Sequence, residues 1–411
     1  VVEGSFEFVR AEKLGVFYEN ASFRYSGERV EVEIEYEFPF AALIAEKRAW
    51  FMTPLILAPR EFEVRVVVHL YDMDPLGRVE YWPVEPVERK GSELVFEIPD
   101  PVEMNRVIVE YELREEIPCT RYERKIDGTT VVVEVVEYYE SIADKIFDLL
   151  ERSKGLLEYA FGGMPERVEF EFYLPELNDL SALGYVRERT IEERVEGPIY
   201  LNLALIRFKE GYLEETVIHE FVHLALGLAG VPAKREIIWF HEGVAEFVAI
   251  EVCSEIGVDT ADFVEGHREA LELVKKMYGD DLSFVVDWDY ESPSIRLYYA
   301  TAYYIINYTA GGRGLEFVKK LMGEIEKRGG VGDLEDAVDV LSSAAGRDLR
   351  ERFEAWGFEV EGREPYSDLI EVAHSIAPVI RIVAAIVLGA ALAAALLIAI
   401  FLYIVLRAVR A

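Results

Sequence analysis

The sequence predicts an α+β protein. An antiparallel, sandwich-like β-domain spans 1–136, a mainly helical domain 137–360, a short juxtamembrane linker 361–380 and one transmembrane helix 381–407. Three observations carry this reading. Apolar and charged residues alternate with period two through the first third of the chain, the period of a strand with one wet face. From about residue 137 the apolar residues recur at helical spacing, and the 25 residues between Arg381 and Arg407 carry no charge.

The alternation is plain in RVEVEIEYEF (29–38), EFEVRVVVHLY (61–71), SELVFEI (92–98), NRVIVEYEL (105–113) and TTVVVEVVEY (129–138). Turn sequences separate these runs, among them DPLG (74–77), RKGS and KIDG. His69 is expected as a half-buried strand residue. The helical pattern begins with YYESIADKIFDLLERSKGLLEYAFG, which ends at a glycine pair. A strand (166–174), a polar connection (176–196) and a second strand, GPIYLNLALI (197–206), follow. YLEETVIHEFVHLALGLAG (212–230) is a helix closed by glycine. The remaining segments to residue 357 read as helices, from GVAEFVAIEVCSEIG through SIRLYYATAYYIINYTAGG to DLRERFEAWG.

The uncharged stretch IVAAIVLGAALAAALLIAIFLYIVL spans roughly 37 Å as a helix, enough for a hydrocarbon core of about 30 Å. Arg407 and Arg410 behind it, against Arg381 in front, favour a cytoplasmic tail and an extracellular domain. A formal charge of −34, with 43 basic against 77 acidic residues, argues against nucleic acid as a partner. Dense charge with Glu in excess of Asp suits a thermophile's surface ion-pair networks. Two cysteines, Cys119 and Cys253, make no disulfide framework, and Cys253 in VAIEVCSEIG reads as a buried small hydrophobe.

The chemistry concentrates in HEFVHLALGLAGVPAKREIIWFHEGVAEF (219–247). On a helix, His219 and His223 point the same way one turn apart, the separation at which two imidazoles share one tetrahedral zinc ion. Glu220, about 100° round the axis, is placed to act as general base on a zinc-activated water. The surrounding TVIHEFVHLALGL is apolar, so these polar groups would be costly without a metal or hydrogen bonds. Glu242, in a second helical segment, is the candidate third ligand. Glu246 lies one turn further on the same face, where it can accept a hydrogen bond from a ligand imidazole.

HExxH, eighteen intervening residues and then Glu within W-x-x-E-G-x-A resembles the pattern of the gluzincin metallopeptidases, the thermolysin and aminopeptidase N-like clan. The matching residues here are His219-Glu220-Phe221-Val222-His223 and Trp239-Phe240-His241-Glu242-Gly243-Val244-Ala245-Glu246. The resemblance implies a thermolysin-like catalytic domain and one zinc ion per chain held by His219, His223 and Glu242. It implies Glu220 as base and Glu246 as a carboxylate supporting a ligand. It also implies an oxyanion-binding tyrosine within LYYATAYYIINY (297–308), where Tyr299 fits Tyr-Ala-Thr-Ala better than Tyr298 does.

The chain departs from the clan's exopeptidases, whose Gly-x-Met-Glu-Asn segment binds a free amine. The nearest counterpart, Gly162-Gly163-Met164-Pro165-Glu166, lacks the Asn and carries a proline. The strand at 198–204 is expected as the sheet edge on which an extended peptide or protein substrate would pair. These features favour a membrane-anchored endopeptidase. The competing reading is a non-catalytic cell-surface binding or scaffold protein, in which a structural zinc ion staples two helices with His241 as a fourth ligand. His267 and His374 receive no role.

Overall fold

The computed structural model describes residues 2–14, 18–30, 40–54, 63–100, 102, 106–175, 183–186, 198–208 and 210–360, the first two stretches as backbone alone. The chain divides into two compact units, Val1–Phe358 and Glu359–Ala411. The expected linker, the expected transmembrane helix and His374 lie outside the described residues. Among the described residues no helix is long and apolar enough to cross a membrane.

The chain is mixed α+β, with eight α-helices among the described residues. β1 (Val2–Leu14) and β2 (Tyr18–Val30) pair as an antiparallel ribbon. Next come β3 (Ala42–Met52), β4 (Val64–His69), β5 (Val79–Trp82), β6 (Glu88–Lys90), β7 (Glu93–Ile98) and β8 (Ile108–Ile117). They form two three-stranded antiparallel sheets, ordered β3-β8-β5 and β4-β7-β6. One core joins the two sheets: Ala49 and Val109 from the first, Val68, Leu94, Phe96 and Ile98 from the second. The period-two pattern of β4, β7 and β8 places alternate residues of these strands on the shared inner face, whereas β6 is exposed throughout. His69 is on the other face, exposed, 3.6 Å from Glu93.

β9 (Cys119–Ile126) and β10 (Thr129–Val136), which fall within the expected N-terminal domain, join a different sheet. With β11 (Arg167–Tyr173), β12 (Gly184–Val186) and β13 (Ile199–Asn202) they make five strands ordered β12-β13-β11-β10-β9. β10, β11 and β13 run parallel, and the outer two strands antiparallel to their neighbours. The alternation with one wet face expected of 129–138 does not hold for β10: TTVVVEVV is nearly continuously apolar, and six of its eight residues are buried, as in a strand covered on both faces. α1 (Glu140–Phe161) carries the chain from β10 to β11 and packs on β9 and β10. It ends at Gly162 in the left-handed conformation.

The helical part follows as α2 (Tyr212–Leu228), α3 (Ile238–Glu255), α4 (Ala261–Tyr278), α5 (Ile295–Ala310), α6 (Leu315–Arg328), α7 (Leu334–Ala345) and α8 (Arg350–Ala355). Every residue of α3 from Trp239 to Ile250 is buried, the ionisable His241, Glu242 and Glu246 included, which places this helix at the centre of the bundle. α3 packs against α2 on one side and α5 on another. Gly243 lets α5 approach: a Cβ there would lie 2.6 Å from the Ala302 carbonyl oxygen. Cys253 is buried within α3 and Cys119 half-buried on β9, both unpaired.

Candidate active site

α2 begins at Gly211, whose N–H donates to Glu214 Oε2 at 2.9 Å and whose φ of +104° suits glycine. Two turns further in, the helix is buried on nearly all sides, and His219, Glu220 and His223 are all under 10% exposed. α3 brings Glu242 to them. His219 Nε2 lies 3.0 Å from His223 Nε2 and 3.1 Å from Glu242 Oε2, and His223 Nε2 lies 3.3 Å from the same oxygen. A tetrahedral zinc ion with bonds of about 2.0–2.1 Å has neighbouring donors roughly 3.3 Å apart, so these three atoms outline one face of such a tetrahedron.

The hydrogen bonds behind the donors decide where the protons sit. The Val231 carbonyl can only accept, so His241 Nε2, 3.1 Å away, carries a proton. Burial and the adjacent His223 push the His241 imidazole down to about 3, so it is neutral and offers a lone pair at Nδ1. His223 Nδ1, 2.7 Å from that atom, must then donate, which leaves the His223 lone pair at Nε2, toward Glu242. On the other ligand, His219 Nδ1 donates to Glu246 Oε2 at 3.0 Å. Glu246 Oε1 in turn accepts from His267 Nε2 at 2.6 Å. The Tyr290 hydroxyl donates to Glu242 Oε1 at 2.7 Å, leaving Oε2 for the centre. With each ring engaged at Nδ1, two Nε2 atoms and a carboxylate oxygen converge on one point, a donor set that suits a cation.

The electrostatics agree. Burial raises the Glu242 carboxyl, but His223 and His219 outweigh it and hold Glu242 well below the usual carboxylate range. Burial lowers the His219 imidazole, but its bonds to Glu242 and Glu246 win and hold it well above the usual range. Burial likewise raises Glu246, yet bonds to His219 and His267 bring it down to about 2. Without a metal, the cluster therefore keeps a proton on His219 where a cation would otherwise sit.

Glu220 is 4% exposed, and its Oε2 has no hydrogen-bond partner. Burial pushes its carboxyl up, against the pull of His223 and His219. Gly184 of β12 lies over it, so close that a Cβ would meet the Glu220 side chain at 2.8 Å. Tyr299 of α5 also faces the cluster; its phenol is raised by burial and then by Glu242, Tyr290 and Glu220. These groups line one cavity of about 830 Å³, together with Leu183, Tyr185, Phe263 and Ile295.

The structure thus brings Glu220, Tyr299, His219, His223, Glu242 and Glu246 together. Tyr298 is turned away, with its ring against Phe284 and Trp288. Among the described residues the edge strand is β12, not the strand at 198–204: β13 is paired on both sides, by β11 and by β12. The Gly162–Glu166 segment closes α1 and does not line the cavity. Both His241 nitrogens point to other partners, so it is not a fourth ligand. Sequence reasoning missed His267 and Tyr290, which reach the cluster from α4 and the loop before α5. It also missed Glu215, one turn before His219. For Glu215 the i, i+4 spacing was available as a signal; for the other two there was none.

No protein-family model matches the sequence, and no curated protein matches it. Among solved structures, an aminopeptidase N family protein from Idiomarina loihiensis is similar at TM-score 0.45 and 12% identity, over 80% of this chain and 62% of that one. Aminopeptidase A of Legionella pneumophila, crystallised with aspartic acid, is similar at TM-score 0.38 and 15% identity, over 77% and 38%. The chain thus spans less than two thirds of either protein.

Proposed function

We propose that this chain is a zinc-dependent metallopeptidase. The observation that supports it most directly is the triangle of donors, His219 Nε2, His223 Nε2 and Glu242 Oε2, beside a buried Glu220 oxygen that lacks a partner. Three protein ligands and an open side toward a cavity is the pattern of a catalytic zinc site, whereas a structural site is closed by four. A zinc ion held by His219, His223 and Glu242 would supply Lewis acidity for the scissile carbonyl and would lower the pKa of water toward 7.

The chain's own residues do the rest. Glu220 accepts a proton from the attacking water and returns it to the leaving amine, so one carboxylate serves as base and then acid. Burial raises its carboxyl above the ordinary range, which strengthens it as a proton acceptor. Tyr299 donates its phenol proton as a hydrogen bond to the oxygen that becomes negative. Burial keeps that phenol protonated.

β12 supports an endopeptidase reading. The Leu183 carbonyl accepts from Asn202 N–H at 2.8 Å, so alternation turns the N–H and C=O of Gly184 to the opposite, cavity-facing edge. An extended substrate could pair there without presenting a terminus. A single-pass anchor at 381–407, with the catalytic unit outside the cell, completes the proposal.

The test compares the native full chain with Glu220→Gln for zinc content and for hydrolysis of an unstructured protein substrate. One zinc per chain in both, with cleavage by the native form alone, supports the reading and the base together. Zinc in both and cleavage by neither favours a structural zinc site. No zinc in either sinks the assignment.

A further inference from the structure

Glu215 is left unused by this chemistry. It lies one turn before His219 on α2, is 4% exposed, and lines the same cavity. Its Oε1 has no hydrogen-bond partner. The nearest cationic candidate is His219 Nδ1 at 3.8 Å, but that nitrogen already donates to Glu246 at 3.0 Å. A buried carboxyl oxygen without a partner is costly, and in an apolar helix a leucine would serve packing better.

The space beside it has the other features of a side-chain pocket. Phe263 of α4 and Ile295 of α5 supply apolar walls, and Thr216 lies next to Glu215 with its hydroxyl bonded to the Tyr212 carbonyl at 2.8 Å. Two arginines stand at the cavity, and each is engaged outward. Arg235 faces Asp287 at 3.4 Å, while Arg296 reaches the Gly266 carbonyl at 3.3 Å and Glu269 at 3.7 Å. Four carboxyl groups, Glu215, Glu220, Glu242 and Glu246, line the cavity, which disfavours an anionic substrate group.

Building on the proposed peptidase reading, we infer that Glu215 forms the floor of a specificity pocket for a basic side chain, so that the substrate carries Lys or Arg beside the scissile bond. The aliphatic stem lies along Phe263 and Ile295, and the cationic head reaches Glu215 Oε1, the oxygen without a hydrogen-bond partner.

The experiment has two arms, both on the full chain loaded with zinc. In the first, peptides varied at the two positions flanking the scissile bond are cleaved by the native chain and by Glu215→Gln and Glu215→Leu. The native chain is expected to prefer Lys or Arg over Leu at one of the two positions by about 30-fold in kcat/KM. Glu215→Gln should lose at least about tenfold of that preference, chiefly through KM, and Glu215→Leu should prefer Leu. In the second arm, butylguanidine binding is measured by calorimetry and should be detectable in the native chain and lost in Glu215→Gln. Equal cleavage of basic and neutral peptides by the native chain, or a preference that survives Glu215→Gln, overturns the inference. Butylguanidine binding that ignores the substitution does so as well. If the native chain cleaves no peptide while butylguanidine binding depends on Glu215, the cation pocket stands and the peptidase reading falls.

Discussion

Replacing His241 by alanine should weaken zinc binding although His241 touches no zinc. The imidazole is 1% exposed and bridges two groups, accepting from His223 Nδ1 at 2.7 Å and donating to the Val231 carbonyl at 3.1 Å. Truncation leaves a buried N–H and a buried C=O without partners, at about 1–3 kcal/mol each if nothing rearranges. It also releases the tautomer of His223, whose proton can then sit on Nε2 and occupy the ligand position. Loss of such a supporting partner typically costs 10- to 100-fold in metal affinity, or about 1.4–2.7 kcal/mol. Competition against a chromogenic chelator at fixed pH measures this, with thermal unfolding of the metal-free protein alongside it. His241→Asn, which keeps one donor and one acceptor, should recover part of the affinity. An alanine variant that unfolds like the native protein yet binds zinc within about twofold of it would refute the reasoning. Equal losses for Ala and Asn would assign the effect to packing instead.

Three further outcomes are expected. Tyr299→Phe should lower kcat by about 100-fold with KM nearly constant, because the phenol acts only on the developing oxyanion; steady-state kinetics on one peptide checks it, and an unchanged kcat would remove Tyr299 from the mechanism. Gly243→Ala places a Cβ 2.6 Å from a backbone oxygen of α5, which cannot swing aside as a side chain could. It should cost about 1–3 kcal/mol in urea unfolding and lower cleavage by shifting Tyr299. Burial pushes the Tyr139 phenol from its ordinary 10 up to about 12. A raised folded value means that stability is full below pH 10 and is lost as the pH rises through 12, by up to roughly 2.7 kcal/mol. Tyr139→Phe should lessen that alkaline loss but cost about 1 kcal/mol at neutral pH, since the Ile44 N–H donates to this hydroxyl at 2.8 Å. Unfolding at pH 7 and pH 11 reads both effects.

What the sequence could determine was whatever depends on neighbours a turn or two apart. His219 with His223, and Glu242 with Glu246, are i, i+4 pairs, and helix geometry alone puts each pair on one face. Period-two alternation likewise marked β4, β7 and β8 of the N-terminal part, but not β1, β3, β5 or β6, and the run at 31–38 lies outside the described residues. β12 escaped because three residues that include a glycine, within a polar segment, carry no periodic signal. Only its pairing with β13 makes it the edge over Glu220. TTVVVEVV reads as a strand in isolation, but its place in the five-stranded sheet depends on which elements cover its two faces. The same holds for the groups behind the ligands. His267, Tyr290 and the turn of His241 toward His223 depend on side chains from separate elements meeting in one buried volume. That meeting is decided by how α3 packs against α2 and α5, because hydrogen-bond partners are chosen by distance in space and not by position along the chain.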